Sequence, residues 1–263
     1  MLTQGKKGTS GIPRLTDGSG HGSNGNGSNG KSSGGGSSYR LRNRLPDSTL
    51  QHFQGTCRAL GFDFEQKKGF AVKLQACADL PTRHGSFVIA AFSDSKTGKE
   101  HTALIKGDVS GMHACPLRIH SQCHTGDVLG SLRCDCQAQL EASMKYIESR
   151  QQGVVIYLQQ EGRGIGLVNK IRAYNLQDMG FDTVDANVCL GLPPDARDYG
   201  AASEIIQLLG IRSVCLLTNN PSKIEGLREH GIRVTRRIPL VIKANEHNRE
   251  YLATKRKRMG HLY

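Results

Sequence analysis

From Phe70 onward apolar and polar positions alternate: Phe70, Val72 and Leu74 share one side, and Ser86–Phe92 and His101–Lys106 read as further strands. The turn-forming residues Arg83-His84-Gly85 and Ser95-Lys96-Thr97-Gly98 separate these runs, which predicts an antiparallel β region. Past Cys136 the period lengthens to a helical one, with Leu140, Met144 and Ile147 on one face and Gly153 as the stop. Strands and helices then alternate. Val154–Leu158 is a strand, and a helix carrying Leu167, Ile171 and Tyr174 follows it. Next come a helix with Ala202, Ile205, Ile206 and Leu209, a strand at Ser213–Leu217, a helix at Lys223–His230 stopped by Gly231, and a strand at Ile232–Thr235. The expected class is α/β: a mixed sheet with helices on its faces, antiparallel in its N-terminal part and followed by alternating strands and helices.

Before this pattern begins, residues 1–44 are rich in Gly, Ser and Asn, and Asp17–Ser38 contains no hydrophobic side chain. Such a segment cannot bury a core, so 1–44 is expected to be a disordered tail, 45–69 a lead-in and 70–263 the folded domain. The tail is basic and poor in acid, which leaves an organelle-targeting role open, although its glycine load argues against an amphipathic transit helix. No apolar run has the length of a membrane helix and no charged-then-apolar leader follows Met1, so a soluble, cytoplasmic protein without a membrane partner is expected. Eight cysteines without a pairing pattern fit a reducing compartment. A net charge of +12 and a pI near 9.5 call for an anionic partner. Part of that excess is the run Lys255-Arg256-Lys257-Arg258, which reads as a solvated helix face.

The densest chemistry lies between Arg118 and Cys136, where three thiols, two imidazoles and two guanidiniums fall in one short segment. Cys134 and Cys136 are one residue apart and Cys123 precedes them by a loop that can fold around one tetrahedral ion, for which zinc is the natural choice. Three ligands leave a position open for water, as in catalytic sites; a fourth from His120, His124 or Cys115 would close the site as a structural one. A basic zinc-binding nucleic-acid module would need a second pair of ligands at finger spacing, and the sequence has none, so no nucleic-acid partner is expected.

Two strand ends carry polar residues. Gln159–Gly166 joins a strand to a helix N-terminus through a glycine-rich turn, a ready anion cradle, though its spacing is neither a dinucleotide fingerprint nor a P-loop and a plain tight turn is the alternative. Thr218 and Lys223 flank another strand end and suit a phosphate, with capping and turn formation as the alternative. Asp195 and Arg197 read either as an acid–base and phosphate-handling pair or as a surface ion pair, and Asp198 as a helix N-cap.

Taken together, the cysteine stretch, Gln159–Lys170, Asp195–Tyr199, Leu217–Lys223 and Lys257–His261 closely resemble the GTP cyclohydrolase II family of riboflavin biosynthesis, in unbroken order from about Phe70 to the end. Asn187–Gly191 is a weaker match. The resemblance implies a catalytic zinc on Cys123, Cys134 and Cys136, and hydrolytic opening of the imidazole ring of GTP at C8. Formate and pyrophosphate would leave, giving a phosphoribosylaminopyrimidine. It implies substrate contacts at Arg118, Ile119, His120, Ser121, Gln122, Gln139, Glu161, Gly162, Arg163, Thr183, Thr218 and Lys223. Position 122 departs from the family's usual Glu, and a neutral amide there still forms hydrogen bonds. Asp195 would be the proton acceptor, and Arg197 the nucleophile or clamp at the α-phosphate, of which the clamp suits a protonated guanidinium better. Tyr174 falls where family members that complete formate release keep a tyrosine; a relative that stops at the formamide is the alternative product reading, and a catalytically dead scaffold another. Magnesium with the triphosphate, a homodimer and a monofunctional chain complete the expectation.

Overall fold

The structure is a computed structural model and describes residues 67–262; the predicted tail and nearly all of the lead-in lie outside the described residues. Seven strands form one sheet: β1 (Val72–Thr82), β2 (Gly85–Asp94), β3 (Lys99–Lys106), β4 (Cys115–Ser121), β5 (Gly153–Leu158), β6 (Val214–Leu217) and β7 (Val234–Ile238). Their spatial order is β1-β2-β3-β5-β4-β6-β7. The pairs β1/β2, β2/β3 and β3/β5 are antiparallel, whereas β5/β4, β4/β6 and β6/β7 are parallel, so the expected mixed sheet is the observed one. The change of sense falls at β5, which pairs Leu104 with Val155 on one side and Leu117 with Val154 on the other.

Alternation along β5 divides the core between the two faces of the sheet. Val154, Ile156 and Leu158 join the larger cluster, in which Leu117, Ile119, Ile205, Ile206, Leu216 and Leu227 are buried. Val155 faces the other way and packs with Phe87, Met144 and Ile147. The second face is covered by α1 (Cys136–Arg150). The first is covered by α4 (Gly200–Leu208), whose Ile205 and Ile206 point inward, and by α5 (Pro221–Glu229). Three helices remain: α2 (Leu167–Asp178), α3 (Thr183–Cys189) and α6 (Arg249–Arg258).

Four local expectations are corrected. Helix α1 ends at Arg150, where Gln151 adopts a left-handed conformation with φ of 54°, so Gly153 is not its stop. Gly153 instead opens β5 at φ 141°, where a Cβ would lie 2.6 Å from the Pro116 carbonyl oxygen; glycine is there for close strand approach. The last strand begins two residues later than its apolar start suggested, with Ile232 buried ahead of it. In the run Lys255–Arg258 the solvated reading holds for Arg256, Lys257 and Arg258 but not for Lys255, which is buried and whose ammonium donates to Asp135 Oδ1 at 3.0 Å. Finally, Cys77, buried on β1, is disulfide-bonded, while Cys115, Cys123, Cys134, Cys136, Cys189 and Cys215 are free. Sequence spacing does not reveal which cysteines a fold brings together. Among the described residues no helix is long and apolar enough to cross a membrane.

Candidate active site

Strands β4, β5 and β6 run parallel, so their carboxyl ends open on one edge of the sheet, where α/β proteins build ligand sites. Beyond β4 the chain makes a π-helical turn at His124–Val128 that is held from inside by Asp127. The Asp127 carboxylate accepts from the Cys123 backbone N–H and from the Tyr157 hydroxyl, each at 2.9 Å, and faces His120 Nε2 at 3.1 Å. With its shape fixed in this way, the turn brings the Sγ atoms of Cys123, Cys134 and Cys136 within 4.8 Å of one another. Gly126 lines the same cradle: a Cβ there would lie 2.8 Å from Cys134 Sγ and 3.0 Å from Cys123 Sγ.

Three thiols this close do not titrate alone. Cys134, Cys136 and the Lys170 ammonium all stabilise charge on Cys123, holding its thiol far below the ordinary range, whereas charge on Cys123 pushes Cys134 up to about 11 and Cys136 well above the usual value. Three soft sulfur donors around a space kept clear by a glycine fit a zinc ion with one position left for another ligand.

The thiols form one wall of a cavity. The other walls carry cationic and amide groups: Arg118, Gln122 and Gln139, the Glu161–Arg163 turn, Thr183, Arg197, Thr218, Lys223, Tyr251, Lys255 and His261. Arg118 is fixed by donating to the Leu217 carbonyl at 2.9 Å and to Gln139 Oε1 at 2.5 Å. Gln139 passes the contact on to Asp135, which also holds Lys255. Burial pulls the Arg118 guanidinium down to about 10, with Arg197 adding to the effect against Asp135 and Cys136. Lys223 is buried, donates to the Ile119 carbonyl at 2.7 Å, and is held well below the usual lysine range by burial first and then by Arg118, Arg197 and Lys255. A pocket in which cations depress one another in this way is a site that an anion completes.

The residues 73–239 match the family model described as GTP cyclohydrolase II. The GTP cyclohydrolase-2 of Picrophilus torridus is 53% identical over 192 residues, covering 73% of this chain and all of that protein. The chain belongs to the GTP cyclohydrolase II family. The GTP cyclohydrolase-2 of Neisseria meningitidis is 54% identical, over 71% of this chain and 94% of the relative. The riboflavin biosynthesis protein RibBA of Bacillus subtilis is 50% identical over 70% of this chain, which spans 46% of that longer protein. Among solved structures, a two-domain 3,4-dihydroxy-2-butanone 4-phosphate synthase, RibBX from A. baumannii, aligns over 76% of this chain and 50% of its own with a TM-score of 0.37 and 15% identity, too distant a likeness to carry weight.

Most of the positions that the GTP cyclohydrolase II resemblance singled out line this cavity: Arg118, His120, Ser121, Gln122, Cys123, Cys134, Cys136, Gln139, Glu161, Gly162, Arg163, Tyr174, Thr183, Arg197, Thr218 and Lys223. Two do not. The Ile119 side chain is buried in the core, and what it turns toward the site is the carbonyl that receives Lys223. Asp195 stands behind the wall, gripped through both oxygens by Arg197 in a bidentate pair, Nε donating at 2.8 Å. His120 is stacked on Tyr157 at 5.5 Å and braces the His124–Val128 turn through Asp127. His124 and Cys115 do not join the thiol cluster. Thr218 accepts from the Asn220 backbone at 3.0 Å, and Asn220 caps α5, so the turn reading of that segment holds beside its place in the wall.

Lys170, one helical turn before Tyr174 and on the same face, and the C-terminal residues Tyr251, Lys255 and His261 also line the cavity, although the sequence assigned none of them a role there. The latter three lie beyond residue 239, where the family match ends, yet they close one side of the cavity. The signal for Lys170 was its position four residues from Tyr174. The traces of α6 were the basic run and the overlapping stretch Lys257–His261.

Proposed function

We propose that this chain opens the imidazole ring of GTP by hydrolysis, releasing formate and pyrophosphate, with zinc on Cys123, Cys134 and Cys136 and magnesium accompanying the triphosphate. The observation that carries this reading is the shared cavity: a three-thiol cradle and a set of buried cations, Arg118, Lys223 and Lys255, line the same space. Zinc bound by the thiols supplies a Lewis acid and an activated water. The protein's own groups do the remaining work. Arg118, Lys223 and Arg163 offer donors to the anionic end of the substrate, and Gln139 and Asp135 keep Arg118 aimed. Gln122 presents a neutral amide beside Cys123, able both to donate and to accept.

The state of the Asp195–Arg197 pair favours one of its two roles. Burial alone would lower the Arg197 guanidinium, but hydrogen bonding to Asp195 outweighs it and raises the group above its ordinary value; Asp195, which burial would raise, is held low by Arg197. A guanidinium so protected from losing its proton acts as a clamp on the α-phosphate as pyrophosphate leaves, not as a nucleophile. Tyr174, whose hydroxyl lies 3.2 Å from Thr125 Oγ1 beside the thiols, is the group we assign to completing formate release. Exposed Val128, Leu129 and Leu132 on the metal loop and Val168 and Ile171 on α2 support a homodimer in which these faces are covered. Incubation with GTP and magnesium, followed by mass spectrometry, tests the reading. A product that has lost both formyl carbon and pyrophosphate is expected; unchanged GTP, or a product that keeps the formamide, would overturn it.

A further inference from the structure

Lys170 lies in the first turns of α2 with its stem against Gly162, where a Cβ would come within 3.2 Å of Lys170 Cβ. Its ammonium is half-buried and donates to Glu161 Oε1 at 2.7 Å and to Cys123 Sγ at 3.0 Å. Glu161 in turn accepts from the backbone N–H of His124 at 2.5 Å and from Gly162 at 2.8 Å. One side chain thus ties the glycine-rich turn after β5 to the metal turn after β4. Two of its three N–H donors are held by the protein, and a half-buried ammonium is tolerated only when it is paired in this way.

We infer that Lys170 is a positioning residue for the thiol cluster: its N–H bond to Cys123 withdraws charge from that sulfur, and its pairing with Glu161, which accepts from the His124 N–H, sets the glycine-rich turn against the turn that follows Cys123. The inference rests on the three thiols being a metal site. A metal held by three thiolates is electron-rich and a weak Lewis acid, and a donor on one sulfur offsets part of that excess; outer contacts of this kind typically change metal affinity or activity by about 10- to 100-fold when lost.

Cobalt(II) in place of zinc gives a readout that needs no turnover, because its sulfur-to-metal charge-transfer band moves to longer wavelength as the thiolate becomes richer in charge. Wild-type protein and Lys170→Met, Lys170→Gln and Lys170→Arg would be loaded with cobalt and their spectra compared, with kcat and KM measured on the zinc forms. The inference expects stoichiometric metal in all, a red-shifted band in Lys170→Met and Lys170→Gln, a band restored toward wild type in Lys170→Arg, and kcat down by about tenfold or more with KM within roughly threefold. A band at the wild-type position in Lys170→Gln and Lys170→Met would overturn it, as would a raised KM with unchanged kcat. Should Lys170→Met not fold, the glutamine and arginine variants decide the same question. Absence of any thiolate band in wild-type protein would instead bring down the metal reading itself.

Discussion

Replacing Gly126 by alanine tests the thiol cradle with a single methyl group. Gly126 is not among the glycines with positive φ, so alanine meets no backbone strain there and the effect is purely one of contact. The added Cβ would lie 2.8 Å from Cys134 Sγ, 3.0 Å from Cys123 Sγ and 3.2 Å from Cys136 Cβ, closer than such atoms pack, so at least one sulfur must give way. Inserting a methylene-sized group into a filled space costs about 1–3 kcal/mol. Because the loop lies outside both apolar clusters, that cost falls on the metal-bound arrangement more than on the fold. Zinc affinity is expected to drop by about 5- to 150-fold, and turnover with it. Competition with a chromogenic chelator measures the first, and the thermal midpoint, expected to stay within a few degrees, reports the second part of the reasoning. Wild-type zinc affinity in Gly126→Ala would show that the three sulfurs do not close around a shared ion.

Four further outcomes follow from the same geometry. Cys134→Ser or Cys136→Ser should lose stoichiometric zinc and activity while the sheet stays folded, as metal analysis and circular dichroism would reveal; retained zinc and turnover would remove these ligands from the assignment. Tyr174→Phe should slow formate release more than it raises KM for GTP, and wild-type formate release would make Tyr174 a packing residue. Lys255→Met removes the cation from Asp135, which is buried and otherwise held by Gln139; a loss of about 3 kcal/mol in urea unfolding is expected, and a loss below about 1 kcal/mol would make the pair incidental. Burial holds the His101 imidazole below its ordinary value of 6.5 despite the opposing pull of Asp94, and its Nδ1 accepts from the Gln159 N–H at 3.2 Å. The unfolded chain therefore binds more protons below pH 6.5, so this contribution is complete above that pH and is lost as pH falls through the lower folded value. His101→Gln should flatten the acid side of the stability profile, and an unchanged slope would refute the assignment.

The sheet could be read from the sequence because alternation and turn residues are local properties: β1 to β3, β5 and the glycine-rich turn all lie where the pattern placed them. The cysteine spacing likewise announced the cradle. What stayed hidden depends on partners distant in the chain. Asp135 and Lys255 are 120 residues apart, and no pattern within the run Lys255–Arg258 marks one lysine as buried and three basic residues as exposed. Ile119 was carried into the site with its neighbours, but strand alternation turns its side chain into the core and leaves only its carbonyl to the pocket. Helix α3 was missed because it is short; its cap, Asp182 accepting from Val184 and Asp185, was present in the sequence but weak without a longer apolar stripe behind it.

Zinc on the three cysteines, acting with the cationic pocket, is the proposed source of GTP ring opening, and metal removal tests it most directly. Purified protein would be incubated with GTP and magnesium as isolated, after zinc chelation, and after zinc is restored, with formate and pyrophosphate quantified in each arm. The account predicts formate and pyrophosphate in equal amounts from the untreated protein, loss of formate on chelation, and its return with zinc. Formate release at the full rate from metal-free protein would contradict it.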